Sequence, residues 1–153
     1  MTKRLDYFST SPQAMEILLE QENYLHRQFF VGESMTMPTW ELIKLRVSQI
    51  NQCAFCIDMH SKDALKLGET PERIYSLSAW FDSPLYSELE RTALAWAELI
   101  ISRDQVTEER YQQALAHFGA QGLVDLTIAV NAINSWNSIA KTFKPEVGSY
   151  KPN

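Results

Sequence analysis

Apolar residues along this chain recur at three- and four-residue intervals, and runs of strict apolar/polar alternation are nearly absent. Leu89, Ala93, Trp96, Ala97, Ile100 and Ile101 fall on one face of a helix, and Leu126, Ala129, Val130, Ile133 and Ala140 on one face of another. This is the 3.6-residue period of amphipathic helices, not the two-residue period of half-buried strands. Local punctuation agrees. Ser11-Pro12, Thr70-Pro71 and Ser83-Pro84 each join a hydroxyl that can cap a free N–H to a proline that has none to leave unsatisfied. Pro38 is expected to open a helix before Trp40 in the same way. Ser87-Glu-Leu-Glu90 has the form of a capping box, and Thr107-Glu-Glu reads as a further start. Gly32, Gly68 and Gly119 stand where helices should stop. The chain is therefore expected to be all-α, with helices near 12–31, 38–51, 54–67, 71–80, 87–103, 108–118 and 121–142 and an irregular tail from Pro145 to Asn153.

Length and composition narrow the possibilities. The 153 residues form one expected domain, 1–153, with no linker, repeat or low-complexity run to divide it. A chain of this size buries enough surface to fold without covalent staples. It has only two cysteines, three positions apart, so a stabilising disulfide framework is not expected. The opening Met1-Thr-Lys-Arg-Leu-Asp-Tyr lacks the apolar run of a secretory signal. The longest stretch free of formal charge, Leu126 to Ala140, holds three asparagines and falls short of the roughly 20 apolar residues of a spanning helix. The expectation is a cytoplasmic protein. A net charge of −5 with singly scattered Lys and Arg argues against nucleic acid as a partner, and no polybasic stretch argues for a membrane surface.

The candidate chemistry lies in Cys53-Ala-Phe-Cys56-Ile-Asp-Met-His60. With Cys53 at the start of a helix and about 100° of rotation per residue, Cys56 and His60 lie within roughly 60° of it around the axis. Cys56 and His60 are also i, i+4 neighbours. The first turn of a helix stabilises a thiolate over a thiol, and a protonated imidazole nearby does the same. Cys56 is therefore the candidate attacking thiol, and Cys53 its resolving partner. Three readings remain open on spacing: a redox pair, three ligands of a zinc site, or two inert small apolar residues. A structural zinc site wants four ligands, and His26 and His117 are distant and isolated, so a metal is the lesser expectation. A thioredoxin-type reading would need a βαβ scaffold that the pattern lacks.

Beyond the cysteines, the chain resembles the AhpD-like alkylhydroperoxidases, within the carboxymuconolactone decarboxylase superfamily. Glu41, then Cys53 twelve residues later, Cys56 three beyond it and His60 four beyond that reproduce the family's pattern in its single-motif form. The segments Ala93-Leu-Ala-Trp-Ala-Glu98 and Asn131-Ala-Ile-Asn-Ser-Trp-Asn137 also look familial. The resemblance implies an all-α domain of about six to seven helices assembled as a homotrimer or homohexamer, with no cofactor and no metal. It further implies a thiol-dependent peroxidase, in which Glu41 serves as base of a proton relay through His60 or water and Cys56 attacks a hydroperoxide. Cys53 then closes a disulfide, which a dithiol reductant reopens, a lipoyl-bearing protein or a thioredoxin-like donor. The alternative is a redox sensor without turnover, or a metal-binding oligomeric module. One position departs from the peroxidase proper: Phe55 stands where that branch has a histidine, and a phenyl ring carries no proton. The decarboxylase branch lacks the paired cysteines, which makes lactone decarboxylation the lesser expectation.

Three further features carry milder expectations. Asn131, Asn134 and Asn137 should form an internal or intersubunit hydrogen-bond ladder, since buried amides need partners. Trp40, Trp80, Trp96 and Trp136 are expected as core or interface anchors. Asp58 and Lys62 are an i, i+4 pair expected to solvate its own helix face.

Overall fold

A computed structural model describes residues 4–152, so Met1–Lys3, part of the opening stretch expected not to be a secretory signal, and Asn153 lie outside it. Among the described residues there are seven α-helices, one 3-10 segment and no strand. They are α1 (Tyr7–Thr10), α2 (Pro12–Val31), α3 (Met37–Ile50), α4 (Ala54–Lys66), α5 (Pro71–Ser76), α6 (Glu88–Ser102) and α7 (Glu108–Phe143), with the 3-10 segment Leu77–Asp82 after α5. Among the described residues no helix is long and apolar enough to cross a membrane.

The centre of the fold is α3. It packs against α2, α4, α6, α7 and the 3-10 segment, and nine of its residues, including every position from Thr39 to Leu45, are buried. A helix enclosed on all sides should be apolar throughout. Leu42, Ile43, Leu45 and Val47 obey, while Glu41 and Lys44 do not. Two charges inside a buried helix need partners, and these two find each other and more, as described below.

The expected faces of α6 and α7 are the ones that pack. Ala93, Trp96 and Ala97 are buried with Leu126, Ala129, Val130 and Ile133 in the main core, and Leu89, Ile100 and Ile101 lie against it. The capping box that opens α6 is present in both directions. Glu90 N donates to Ser87 Oγ (3.2 Å) and Ser87 N donates to Glu90 Oε2 (2.8 Å).

Some boundaries differ from expectation for physical reasons. Ser83-Pro84 begins a turn, not a helix, and α6 waits for the box at Ser87. The Arg91 guanidinium donates to the carbonyls of Trp80, Phe81 and Ser83, which holds this stretch in an open arc. The expected helix 71–80 is a short α5 that tightens into the 3-10 segment, with Ala79 outside helical geometry. α1, which no sequence signal announced, is a single turn capped by Asp6. Gly32 ends α2 with an ordinary φ of −70°. Glycine is needed there because a Cβ would collide with the Met35 carbonyl. Gly119 does break α7 where a stop was expected, at φ 67°, ψ 174°, a conformation restricted in practice to glycine. The tail beyond Phe143 is irregular, as expected, yet tied down: Tyr150 Oη donates to Asp63 Oδ1 (2.8 Å) and Lys62 Nζ to the Tyr150 carbonyl (3.0 Å). The Asp58–Lys62 pair (2.8 Å) thus helps to pin the tail as well as solvating α4.

Candidate thiol redox site

The site is built at the corner between α3 and α4. α3 ends at Ile50 with Asn51 as its C-cap, and Gln52 follows in the left-handed region at φ 53°. Cys53 N donates to the Ser48 carbonyl (3.0 Å), closing the helix end in the six-to-one pattern of a Schellman turn. The same residue is the N-cap of α4, in extended conformation, with Cys56 in the first turn. One residue finishes one helix and starts the next. The sequence-based placement of Cys53 at a helix mouth is thus observed.

The two sulfurs are joined as a Cys53–Cys56 disulfide, with the Cα atoms 5.3 Å apart, inside the ordinary range for such a bond. Both residues are buried, Cys53 at 1% exposure and Cys56 at 4%. Phe55 and Ala140 of α7 pack against them. Phe55 therefore serves as an apolar wall where a histidine would have offered a proton path.

Glu41 and His60 are brought together from α3 and α4. His60 Nδ1 lies 3.0 Å from Glu41 Oε2, and both residues are buried. Burial alone would push the Glu41 carboxyl up; the His60 hydrogen bond and the Lys44 charge outweigh it and hold the group below the ordinary carboxylate range. An ionised carboxylate can only accept, so Nδ1 carries the hydrogen of this bond, and in the neutral ring the lone pair is then on Nε2. No hydrogen bond links the imidazole to either sulfur among the described residues.

Sequence reasoning missed the rest of the cluster. Lys44 Nζ forms an ion pair with Glu41 Oε1 and stands over the Trp40 ring, 3.8 Å from its centroid. The available signal was a lysine three residues after Glu41 in an otherwise apolar stretch. Glu22 of α2 faces Lys44, His60 and Glu41; burial raises its carboxyl, against the pull of Lys44 and of the Trp136 indole N–H, which donates to Glu22 Oε1 (3.1 Å). Asp63, one turn past His60, completes the group. Glu41, His60 and Asp63 each offer an atom within 4.8 Å of the others, but these donors are engaged by Lys44, by each other and by the Tyr150 hydroxyl. That is a poor start for a metal centre.

The asparagines divide. Asn137, 1% exposed, donates to Ser48 Oγ (3.0 Å) and accepts from Asn51 Nδ2 (3.0 Å), which also donates to Asn134 Oδ1 (2.9 Å). Ser48 Oγ in turn donates to the Lys44 carbonyl (2.7 Å). This ladder clamps the end of α3 to α7 behind the cysteines. Asn131 donates within its own helix, to the Thr127 carbonyl, and joins no ladder among the described residues. Of the tryptophans, Trp40, Trp80 and Trp96 are buried and Trp136 is half-buried. Trp40 Nε1 is buried without a partner; the others donate to Glu98, Thr127 and Glu22. His26 stacks on Phe30 and His117 sits beside Glu88, both apart from the Glu41–His60 cluster.

An all-helical domain carrying a cysteine pair at a helix mouth, backed by a buried Glu–His couple, defines a class. Residues 15–99, which contain all four motif positions, match the carboxymuconolactone decarboxylase family, and the chain belongs to it, on its AhpD-like side. It is 43% identical over 142 residues to the uncharacterized protein YdfG of Bacillus subtilis (strain 168), spanning 92% of this chain and 93% of that one. A crystal structure from Agrobacterium tumefaciens superposes with a TM-score of 0.84 at 35% identity over 99% of both chains; that protein is of unknown function, with a suggested role in antioxidant defence as AhpD. An uncharacterized peroxidase-related protein from Silicibacter sp. TM1040 shares the fold, with a TM-score of 0.78 at 17% identity over 93% of this chain and 74% of that one.

Proposed function

We propose that this protein is a thiol-dependent peroxidase that reduces a hydroperoxide through Cys53 and Cys56. The observation that carries this reading is the buried cysteine pair within bonding distance at the mouth of α4, one turn before the Glu41-held His60. His60 Nε2 takes the Cys56 proton, and Glu41 fixes the tautomer and steadies the imidazolium, as the acid does in a catalytic triad. Glu41 is thus the orienting anion of the relay, not the final proton acceptor, because its carboxyl is held too acidic to compete for a thiol proton. The first-turn N–H groups favour the thiolate.

The thiolate attacks the peroxide O–O bond, giving Cys56 sulfenic acid and an alkoxide that His60 protonates. The Cys53 thiol condenses with the sulfenic acid, releasing water and forming the disulfide. A dithiol donor reduces it by exchange through a mixed disulfide. The reading includes assembly into a homotrimer or homohexamer and work in the cytoplasm. Exposed Phe30 and Val31, at 72% and 77%, are apolar surface of the kind that subunit contacts cover.

The test is a panel of hydroperoxides with reduced lipoamide, thioredoxin or glutathione, following peroxide loss for wild type and Cys56→Ser. Turnover with one donor, abolished in Cys56→Ser, is the expected result. Full turnover in Cys56→Ser refutes the mechanism, and silence across the panel favours a redox sensor without turnover.

A further inference from the structure

Lys44 is the least expected residue in the core. Lysine normally carries its charge to water on a flexible stem, but here it is 8% exposed at the middle of a helix enclosed on all sides. Two partners account for its burial: the Glu41 carboxylate and the face of Trp40. Its position in the chain is fixed as well, since its carbonyl takes the Ser48 hydroxyl hydrogen and Ser48 is held by Asn137. We propose that Lys44 is a positioning residue that neutralises Glu41 and so favours an imidazolium–thiolate pair between His60 and Cys56. This rests on the reading of Cys53 and Cys56 as the working thiols.

The charge balance of the cluster supplies the reason. From α2 comes Glu22; from α3, Glu41 and Lys44; from α4, His60 and Asp63; from the tail, the Tyr150 hydroxyl on Asp63. The α7 residue that reaches in, Trp136, is an uncharged donor. Three carboxyl groups therefore surround one imidazole. Without Lys44 the imidazolium would be the single counter-charge for Glu41 and its neighbours, and a thiolate would have to form beside uncompensated negative charge, which raises a thiol's pKa. With Lys44 present, Glu41 and Lys44 cancel. A proton moved from Cys56 to His60 then leaves the thiolate beside a carboxylate whose charge is already balanced. Lys44 makes no hydrogen bond to either sulfur among the described residues; its effect passes through Glu41 and His60.

The experiment titrates the thiols of the reduced protein by thiolate absorbance and by the pH dependence of iodoacetamide alkylation, in wild type, Lys44→Met and Lys44→Arg. Met keeps the stem on Trp40 and removes the charge. The expected result for Lys44→Met is a Cys56 pKa about one unit higher, hence about tenfold less thiolate below that range, with Lys44→Arg close to wild type. The reduction potential of the pair should fall in Lys44→Met, because a low-pKa thiolate stabilises the reduced form. Lys44→Met strands a buried carboxylate, so Lys44→Gln, which can still donate to Glu41 without a charge, serves if Lys44→Met does not fold. Its thiol pKa should rise in the same direction. An unchanged pKa in the folded uncharged variant, or no rescue by Arg, overturns the proposal. The titration reads thiol acidity whether or not any peroxide is turned over, so failure here and failure of the peroxidase reading are separate results.

Discussion

Reducing the Cys53–Cys56 bond should leave the fold standing, and the size of its effect follows from the loop it closes. The two cysteines are separated by three positions. In the chain-entropy account, closing so short a loop removes roughly 6 cal/mol/K from the unfolded state, about 2 kcal/mol at 25 °C. A chain of this size loses about 2–4 °C of thermal midpoint per kcal/mol, so reduction should lower the midpoint by about 4–8 °C. Both sulfurs are enclosed among Ala140 and Phe55, and as thiols they remain small apolar groups in that setting. Cys53 keeps its backbone bond to Ser48 and its place as N-cap, neither of which uses the sulfur. The assay is a circular dichroism melt at one protein concentration, with and without dithiothreitol, and Cys53→Ser/Cys56→Ser as a control blind to reductant. Helix signal retained at 25 °C with a modest shift is the expected outcome. Loss of the helical signal on reduction, or a drop beyond about 20 °C, would mean the bond is a structural staple, and a site meant to cycle could not depend on it.

Three other consequences can be measured directly. Asn137→Ala removes two buried hydrogen bonds and leaves a small cavity behind the cysteines, and should cost about 2–3 kcal/mol in urea unfolding with an unchanged slope; a loss under about 0.5 kcal/mol would show that the clamp between α3 and α7 lies elsewhere. Glu41, whose folded-state carboxyl is held below its ordinary range, contributes stability that is full above that range and lost as pH falls through its folded value, so the urea midpoint gap between wild type and Glu41→Gln should close on acidification. Glu22 has the opposite sign, because burial raises its carboxyl and its ionisation at higher pH works against the fold. Glu22→Gln can still accept from Trp136, and should melt higher than wild type near pH 8 with the gain gone below about pH 4; a gain independent of pH refutes this account.

The helices were legible where local chemistry decides them. Caps at Thr70 and Thr107, the reciprocal Ser87–Glu90 box and the break at Gly119 are short-range devices, and all stand where the sequence implies. Ser83-Pro84 misled because the same dipeptide opens turns, and a distant guanidinium, Arg91, decided between the two. In the site, the spacing from Glu41 through Cys53 and Cys56 to His60 was readable along the chain. What surrounds it was not. Glu22 and Tyr150 meet the motif only through the packing of α2 and the tail, and a buried lysine looks in sequence like any solvated one. The role of Asn137 was half visible: its burial could be expected from the apolar face of α7, but its partners, Ser48 and Asn51, could not.

The corner at Gln52 and Cys53 makes the interval from Glu41 to Cys53 a mechanical gauge. That interval is three turns of one rigid helix plus a joint whose backbone is pinned to Ser48. A single residue added within it would swing Glu41 by about 100° and slide it by about 1.5 Å relative to the cysteines, turning a buried anion away from His60. No side-chain adjustment spans such a rotation. The twelve-residue count is therefore a length set by hardware, and this stretch of α3 should reject insertions and deletions that the loop after the 3-10 segment, with its open arc, can absorb.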